Sequence, residues 1–448
     1  MIEALKIKID HLKNAYLPVG SLRARIAKGA FWSLVGAVIA RGLSLVSSII
    51  VARLLGTVGY GELGIIQSTV GMFGVFAGFG LGMTSTKYVA EFREKDPAKA
   101  GRIIALSSLI AFISGGIISL ILILLSPFLA TRTLSAPHLS NLLLISSGLL
   151  FLGAINGAQT GALSGFEAFR TIAIVNLLSG IISFPLLIAG VWFFKLEGAV
   201  IALIGSMFVN YILNKIAINK ECAKFNIRPD FQTGFQELPV LWKFSLPAFL
   251  SSAMVGPVTW LCNAMLVNQP NGYAEMGIFN AANQWFNALL FLPGIMSQVV
   301  VPILSERLGM NDNINSTKLL FFTIRTNGII IFIIVVFGFV FNQNIMNFYG
   351  KGFESGGSTL IVVLLTAGLL AIQIPVGNVI FASGKMWLGF IINLGWGFVF
   401  ITGTWLLIRF GSLGLASARL IAYIVHAVWT FWFASIFLKK TKREVLYD

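Results

Sequence analysis

Residues 59–65 read Gly59-Tyr60-Gly61-Glu62-Leu63-Gly64-Ile65, and residues 272–278 read Gly272-Tyr273-Ala274-Glu275-Met276-Gly277-Ile278. Each copy sits in the turn between the first and second apolar segments of its half of the chain. A weaker echo pairs Ser164-Gly165 and Asn176 with Ser383-Gly384 and Asn393, and a third pairs Gly198–Ala202 with Gly414–Ala418. The offset stays near 213–219 residues throughout, so one unit has been used twice.

Between these markers the sequence is a series of apolar runs. Twelve are long enough to cross a bilayer, for which ~20 residues suffice. They are expected at 30–55, 62–86, 103–126, 139–163, 171–194, 196–219, 243–267, 274–301, 317–341, 358–382, 386–409 and 411–438. Hydrophobic residues make up 57% and charged residues 11%, against about 25% charged in soluble domains. The reading is an all-α polytopic membrane protein of twelve transmembrane helices. Six helices per unit is an even number, so both units enter the membrane from the same side. They form two six-helix lobes related by a pseudo-two-fold axis along the membrane normal. The expected divisions are a tail (1–28), a first lobe (29–219), a linker (220–241) with Pro229 and Pro239, a second lobe (242–438) and a tail (439–448). The alternative is two fused bundles with no transport role.

Lysine and arginine set the orientation. With a cytoplasmic N-terminus, 24 of the 32 fall in inside segments and 5 (Arg53, Arg132, Lys195, Lys351 and Arg409) in outside loops. This is the positive-inside distribution, and it places both termini in the cytoplasm. Three basic residues remain within spans: Arg41, Arg325 and Arg419.

The net charge of +15 does not point to nucleic acid, because no basic stripe with interleaved aromatics lies on a soluble segment. Cys222 and Cys262 supply neither a disulfide framework nor metal-ligand spacing. The three histidines are scattered, so no metal and no cofactor is expected. Residues 1–28 are basic and lack the apolar core of a signal peptide. Leu5 to Leu17 fit either a short amphipathic helix on the inner surface or a basic tail. No phosphate-binding P-loop is present, so this chain is not expected to use ATP.

Arg41 lies midway along the first span, where an arginine costs roughly 2.5–3.5 kcal/mol on insertion scales. Ser33, Ala37, Arg41, Ser44, Ser48 and Ala52 share one helical stripe, which reads as the wall of a polar cavity with a fixed cation for an anionic cargo. The alternatives are pairing to a backbone carbonyl or snorkelling to the interface. Arg419 lies on a comparable stripe with Ser412, Tyr423, His426 and Thr430, and Arg325 lies about eight residues into the ninth span. Asn280, Gln284 and Asn287 recur at i, i+4 and i+7 on the eighth span. They read as cargo-facing amides or as helix–helix glue. Their first-unit counterparts are Gln67, Gly71 and Gly74. Arg53, at the end of the first span, reads as a topological or turn-fixing residue. No carboxylate lies deep in a span, whereas an exporter of cationic drugs coupled to protons would want one there.

Lys28-Gly29-Ala30-Phe31-Trp32, Ala52-Arg53-Leu54-Leu55-Gly56 and the Gly59-Tyr60-Gly61 turn together resemble the Wzx-type O-antigen flippase branch of the multidrug/oligosaccharidyl-lipid/polysaccharide exporter superfamily. The resemblance is specific over about residues 28–92 and extends along the chain as helix count and layout. It implies a MATE-like fold, a V-shaped cavity and alternating access. The implied cargo is an undecaprenyl-pyrophosphate-linked oligosaccharide, moved between leaflets of a bacterial or archaeal cell (inner) membrane for surface polysaccharide synthesis. The implied partners are that lipid-linked oligosaccharide, membrane lipids, and polysaccharide polymerase and other assembly proteins. Arg41, Arg325 and Arg419 would then serve the pyrophosphate, and the remaining residues, with His426, the polar head. Two readings compete with it. One is a MATE-like cation-coupled drug exporter. The other is an integral-membrane enzyme, which would need a substantial catalytic outer loop.

Overall fold

Long runs of Leu, Ile, Val, Ala and Phe favour helix, and in hydrocarbon a helix satisfies every backbone group within its own segment. The computed structural model describes residues 22–240, 245, 249, 253–309, 313–382 and 386–444, and it contains no strand among them. The helices are α1 (Leu22–Gly78), α2 (Leu81–Phe92), α3 (Pro97–Phe128), α4 (Ser140–Gly165), α5 (Phe169–Lys224), α6 (Val255–Val267), α7 (Gly272–Gly309), α8 (Asn313–Val340), α9 (Asn342–Asn347), α10 (Gly357–Ala382), α11 (Met386–Leu407) and α12 (Gly411–Glu444).

Among the described residues, seven continuous helical stretches are long and apolar enough to cross a membrane. Three of them reverse partway and cross twice. The reversals fall at Gly56 (φ 70°) in α1, at Phe194–Lys195 (φ 49° at Lys195) in α5, and at Gly411 (φ 62°) between α11 and α12. Glycine accepts the left-handed backbone of such a corner without a steric cost. The α5 reversal is tight, with Gly190 and Gly198 packed backbone to backbone across it. With α6 and α7, the described helices accommodate the twelve expected crossings.

Several boundaries differ from expectation. The second crossing, expected over 62–86, stops at Gly78, because Phe79 and Gly80 both take positive φ and start a separate helix, α2. The sixth crossing runs to Lys224, past the expected boundary at 219. The seventh is described as helix over Val255–Val267, and most of its expected first part lies outside the described residues. So do Leu5–Leu17 and Ser383–Lys385.

Local chemistry fixes the ends. Asp96 accepts from the Lys99 N–H at 3.0 Å and Pro97 opens α3, the usual start of a helix. At the end of α4, Arg93 donates to the Gly165 carbonyl (2.8 Å) and pairs with Glu167 (2.6 Å). The linker is docked on the first lobe. Gly101 abuts the Arg228 carbonyl, and Arg102 pairs with Glu237 at 2.9 Å. Bonds from Thr233 and Gln232 hold the Asp230 carboxyl below the usual carboxylate range.

The largest buried cluster spans both lobes at the end of the bundle that carries the two repeat motifs. That end is called the repeat end below, and the opposite one the linker end. Tyr60 packs against Tyr349 and Phe353 there, with centroids 6.4 and 6.1 Å away.

Candidate functional site: a polar cavity between the lobes

The two repeat motifs lie against each other. A Cβ on Gly61 would run into the Tyr273 carbonyl oxygen, and one on Gly277 into the Thr57 carbonyl oxygen. The small residues of the motif therefore let α1 and α7 approach closely at the repeat end. The seam is closed further by bonds between lobes. Arg53 Nε donates to the Phe348 carbonyl at 2.7 Å, Tyr273 Oη to the Leu134 carbonyl at 2.7 Å, and Asn268 Nδ2 to the Thr133 carbonyl at 2.7 Å. Arg53 thus acts across the lobes, beyond its own turn. The motif glutamates brace each lobe: Glu62 meets His138 Nε2 at 2.6 Å, and Glu275 accepts from the Ser412 N–H at 2.7 Å.

Below this seal the lobes part around two cavities of about 410 and 360 Å³ that share Gln67, Gln284 and Asn287. The first is walled by Ser44, Ser47, Ser48 and Tyr60 of α1, by Ser183 and Ser206 of α5, and by Gln284 and Asn287. The second is walled by Gln67, Ser68 and Gly71 of α1, Asn263 of α6, Asn280, Asn283, Gln284 and Asn287 of α7, and Arg419 of α12. Among the described residues, neither wall contains a carboxylate. Asn263 Oδ1 and Asn280 Nδ2 have no partner among the described residues, which leaves hydrogen-bonding capacity unused at the cavity.

Arg419 donates to Asn283 Oδ1 at 2.8 Å and lies over the Phe286 ring, 3.8 Å from its centroid. It also hydrogen-bonds the Tyr423 side chain, and a guanidinium with five N–H groups keeps donors for an anion. Arg41 is exposed on α1 and faces Phe291 of α7 across the lobe boundary, 5.9 Å from the ring centroid. Phe291 is one turn past Asn287, and Ala40 and Ser44 beside Arg41 line the first cavity, so Arg41 stands next to it on the linker side.

The fold therefore gathers Ser44, Ser48, Asn280, Gln284, Asn287 and Arg419, with Arg41 beside them. Two candidates lie elsewhere. Arg325 is exposed on the face of α8 that also carries Phe321, Ile329 and Phe332. His426 lines a separate cavity within the second lobe. Sequence reasoning missed Asn283, which is one turn from Asn280 and became legible only as the partner of Arg419. It also missed Tyr60 and Tyr349 as the seal. Past the second crossing, Gly82 packs closely on Gly157, whereas a Cβ on Gly78 would meet nothing within 4 Å.

Gly71 lines the cavity, and a Cβ there would also meet nothing within 4 Å. Gly71→Phe is expected to fill the cavity without displacing protein. Passage of any solute through the cavity should fall by roughly tenfold or more, the equivalent of about 1.4 kcal/mol, with an unchanged melting temperature. Solute flux in proteoliposomes and thermal unfolding measured on the same variant check this.

Three kinds of comparison bear on what this cavity serves. A family model described as "Polysaccharide biosynthesis protein" matches residues 26–307. The chain is 25% identical over 195 residues to the EPS I polysaccharide export inner membrane protein EpsE of Ralstonia nicotianae, covering 43% of this chain and 45% of that protein. It is 23% identical over 300 residues to the stage V sporulation protein B of Bacillus subtilis, covering 62% and 58%. These matches span about half the length of the relatives. In fold, the chain is similar to an inward-facing multidrug resistance MATE family transporter of the MOP superfamily, with a TM-score of 0.73 and 15% identity over 92% of this chain and 99% of that one. With most of its length matched by the family model, this multi-pass, MATE-like membrane protein belongs to the polysaccharide biosynthesis protein family.

Proposed function

We propose that this protein flips an undecaprenyl-pyrophosphate-linked oligosaccharide from the leaflet at the linker end to the leaflet at the repeat end, by alternating access between its lobes. The observation that carries the reading is the sign of the cavity: arginine, amides and hydroxyls, with no lining carboxylate. A pyrophosphate head cannot enter hydrocarbon unaided, and fixed cations replace its hydration. The amides and serines suit sugar hydroxyls. The tail would stay in lipid through the gap between lobes, near Arg41. The export role of the Ralstonia relative supports the substrate class.

In this reading 29–219 and 242–438 are the moving lobes, both termini are cytoplasmic, and the repeat end faces outward from the inner membrane. The protein is a transporter, and its partners are the enzymes that make and polymerise the lipid-linked unit. The second reading, a cation-coupled drug exporter, is favoured by the MATE likeness and opposed by the cavity's charge, which repels cations.

A deletion strain tests the choice. Flippase function predicts lost surface polysaccharide and lipid-linked oligosaccharide accumulating in the cytoplasmic leaflet, restored by the wild-type chain. Normal surface polysaccharide with heightened sensitivity to cationic drugs would establish the exporter instead.

A further inference from the structure

A cavity of about 410 Å³ lies on the first lobe, apart from those between the lobes, and its walls come from α3, α4, α5 and the linker. Its depth follows from α5. That helix turns back at Lys195, at the repeat end, where Val191 and Ala199 belong to the large buried cluster. Lys215, which lines the cavity, is ~30 Å further along the helix at 1.5 Å per residue. The hydrocarbon core of a bilayer is about as thick. The Lys215 ammonium therefore stands at headgroup depth in the leaflet at the linker end.

The polar groups at this level are incompletely used. Gln159 of α4 lines the cavity and is 6% exposed, and its Oε1 has no partner among the described residues. A buried amide oxygen left this way calls for a donor from an occupant. Lys215 is exposed and lies 5.8 Å from the Tyr211 ring centroid. Among the described residues, no carboxylate lines the cavity. The acids nearest along the chain are engaged elsewhere. Glu221 accepts from Lys224 at 2.8 Å and from Thr171 at 3.1 Å, and Asp230 accepts from Thr233 and from the Gln232 N–H. The field at the cavity is therefore positive, and exposed Lys220 and Arg228 add to it from the same end.

One helical turn deeper the lining is apolar. Phe112 follows Ser108 on α3, and Ile155 precedes Gln159 on α4. Phe112 is 56% exposed and packs edge-on against Phe151, with centroids 5.1 Å apart. The cavity thus carries a cation and an amide at headgroup depth and an open apolar wall below them. That order matches a phospholipid, with its phosphate at Lys215 and an acyl chain along Phe112 and Ile155. A free anion would leave the apolar half unfilled. The linker closes the site from the side, through Pro229 and Phe231.

We propose that this cavity binds one anionic phospholipid of the linker-end leaflet, and that the bound lipid clamps the linker to the first lobe. Lys215 takes the phosphate, and Gln159 Oε1 accepts from a headgroup hydroxyl. Basic pockets between membrane helices are where such headgroups are recognised. The linker joins the two lobes, so a lipid that holds Pro229 and Phe231 against α3 and α5 fixes one anchor of that connection. The inference is independent of what crosses between the lobes.

The test uses the full chain, stripped of lipid in detergent and titrated with dioleoyl phosphatidylglycerol or dioleoyl phosphatidylcholine. Native mass spectrometry reads the first lipid bound. Phosphatidylglycerol is expected to bind roughly fivefold more tightly, the worth of one lysine against an anionic headgroup. Lys215→Gln should abolish that preference. Lys220→Gln, an exposed lysine at the same end that does not line the cavity, should keep it. Gln159→Leu should weaken phosphatidylglycerol binding, since leucine offers the headgroup hydroxyl no acceptor. Equal affinity of the wild type for the two lipids, or equal losses in the two lysine variants, would overturn the site. So would displacement of the lipid by excess inorganic phosphate, which would make the cavity a site for a free anion. Hydrogen exchange reads the clamp: linker amides should exchange roughly fivefold more slowly with phosphatidylglycerol than with phosphatidylcholine, and Lys215→Gln should erase the difference. Linker exchange that ignores the bound lipid would overturn the clamp.

Discussion

Arg41→Ala is expected to lower export of the lipid-linked cargo by roughly 100-fold, which corresponds to about 3 kcal/mol lost from a charge-assisted anion contact. The protein should remain as stable as wild type. The reason lies in the surroundings of the side chain: Arg41 is exposed and its contact across the lobes is the Phe291 ring, so alanine orphans no buried partner. Arg41→Lys should keep part of the activity, because a point charge still attracts phosphate but does not grip it bidentately. Arg419→Ala should lower export as strongly and also destabilise the fold. It strips the cation from Phe286 and leaves Asn283 Oδ1 without its 2.8 Å donor. Export assays and thermal unfolding on the same variants separate the two effects. Wild-type turnover by a folded Arg41→Ala protein would remove the pyrophosphate anchor from the mechanism.

Gly61→Val with Gly277→Val is expected to force the repeat end open. Each added side chain meets a backbone carbonyl of the opposite lobe, and overpacking of this kind costs about 1–3 kcal/mol per site. The strain exists only while the lobes touch. A total of about 3 kcal/mol would move the balance between closed and open forms roughly 100-fold, and export should fall because the cavity no longer returns to the linker side. The measurement is labelling of Tyr349→Cys by a membrane-impermeant thiol reagent. Tyr349 is fully buried in the seal, and the native Cys222 and Cys262 are buried as well, so the background is low. Labelling should rise sharply in the double variant. Unchanged labelling in a stable double variant would show that the motif seam is not a gate.

The His426 cavity and the seal lie at different levels of the second lobe. His426 and Gln373 sit in the linker half, and Glu275 with Ser412 at the repeat end. α12 carries Ser412 and then Arg419, and so joins the seal and the cavity cation on one helix.

The sequence by itself determined the class, the helix count and the duplication. Hydrophobic runs with sparse charge permit little besides membrane helices, and a repeated motif at a constant offset requires two similar units. It also marked Arg41, Arg419 and the α7 amides, because a charge or an amide in hydrocarbon is costly enough to stand out locally. The tertiary structure decided which of these marks converge. Helical spacing shows that Arg325, Arg419 and His426 lie inside or near spans, but not which face meets a neighbour, so only packing separated the cavity cation from the residue on the Phe-lined face and from the histidine of the second-lobe cavity. The meaning of the motif was likewise tertiary. Its glycines look like turn residues in sequence, and they matter because the second copy of the motif, some 213 residues away, packs against the first. Such contacts have no local signature, since the steric need for a missing side chain arises only when the two backbones meet.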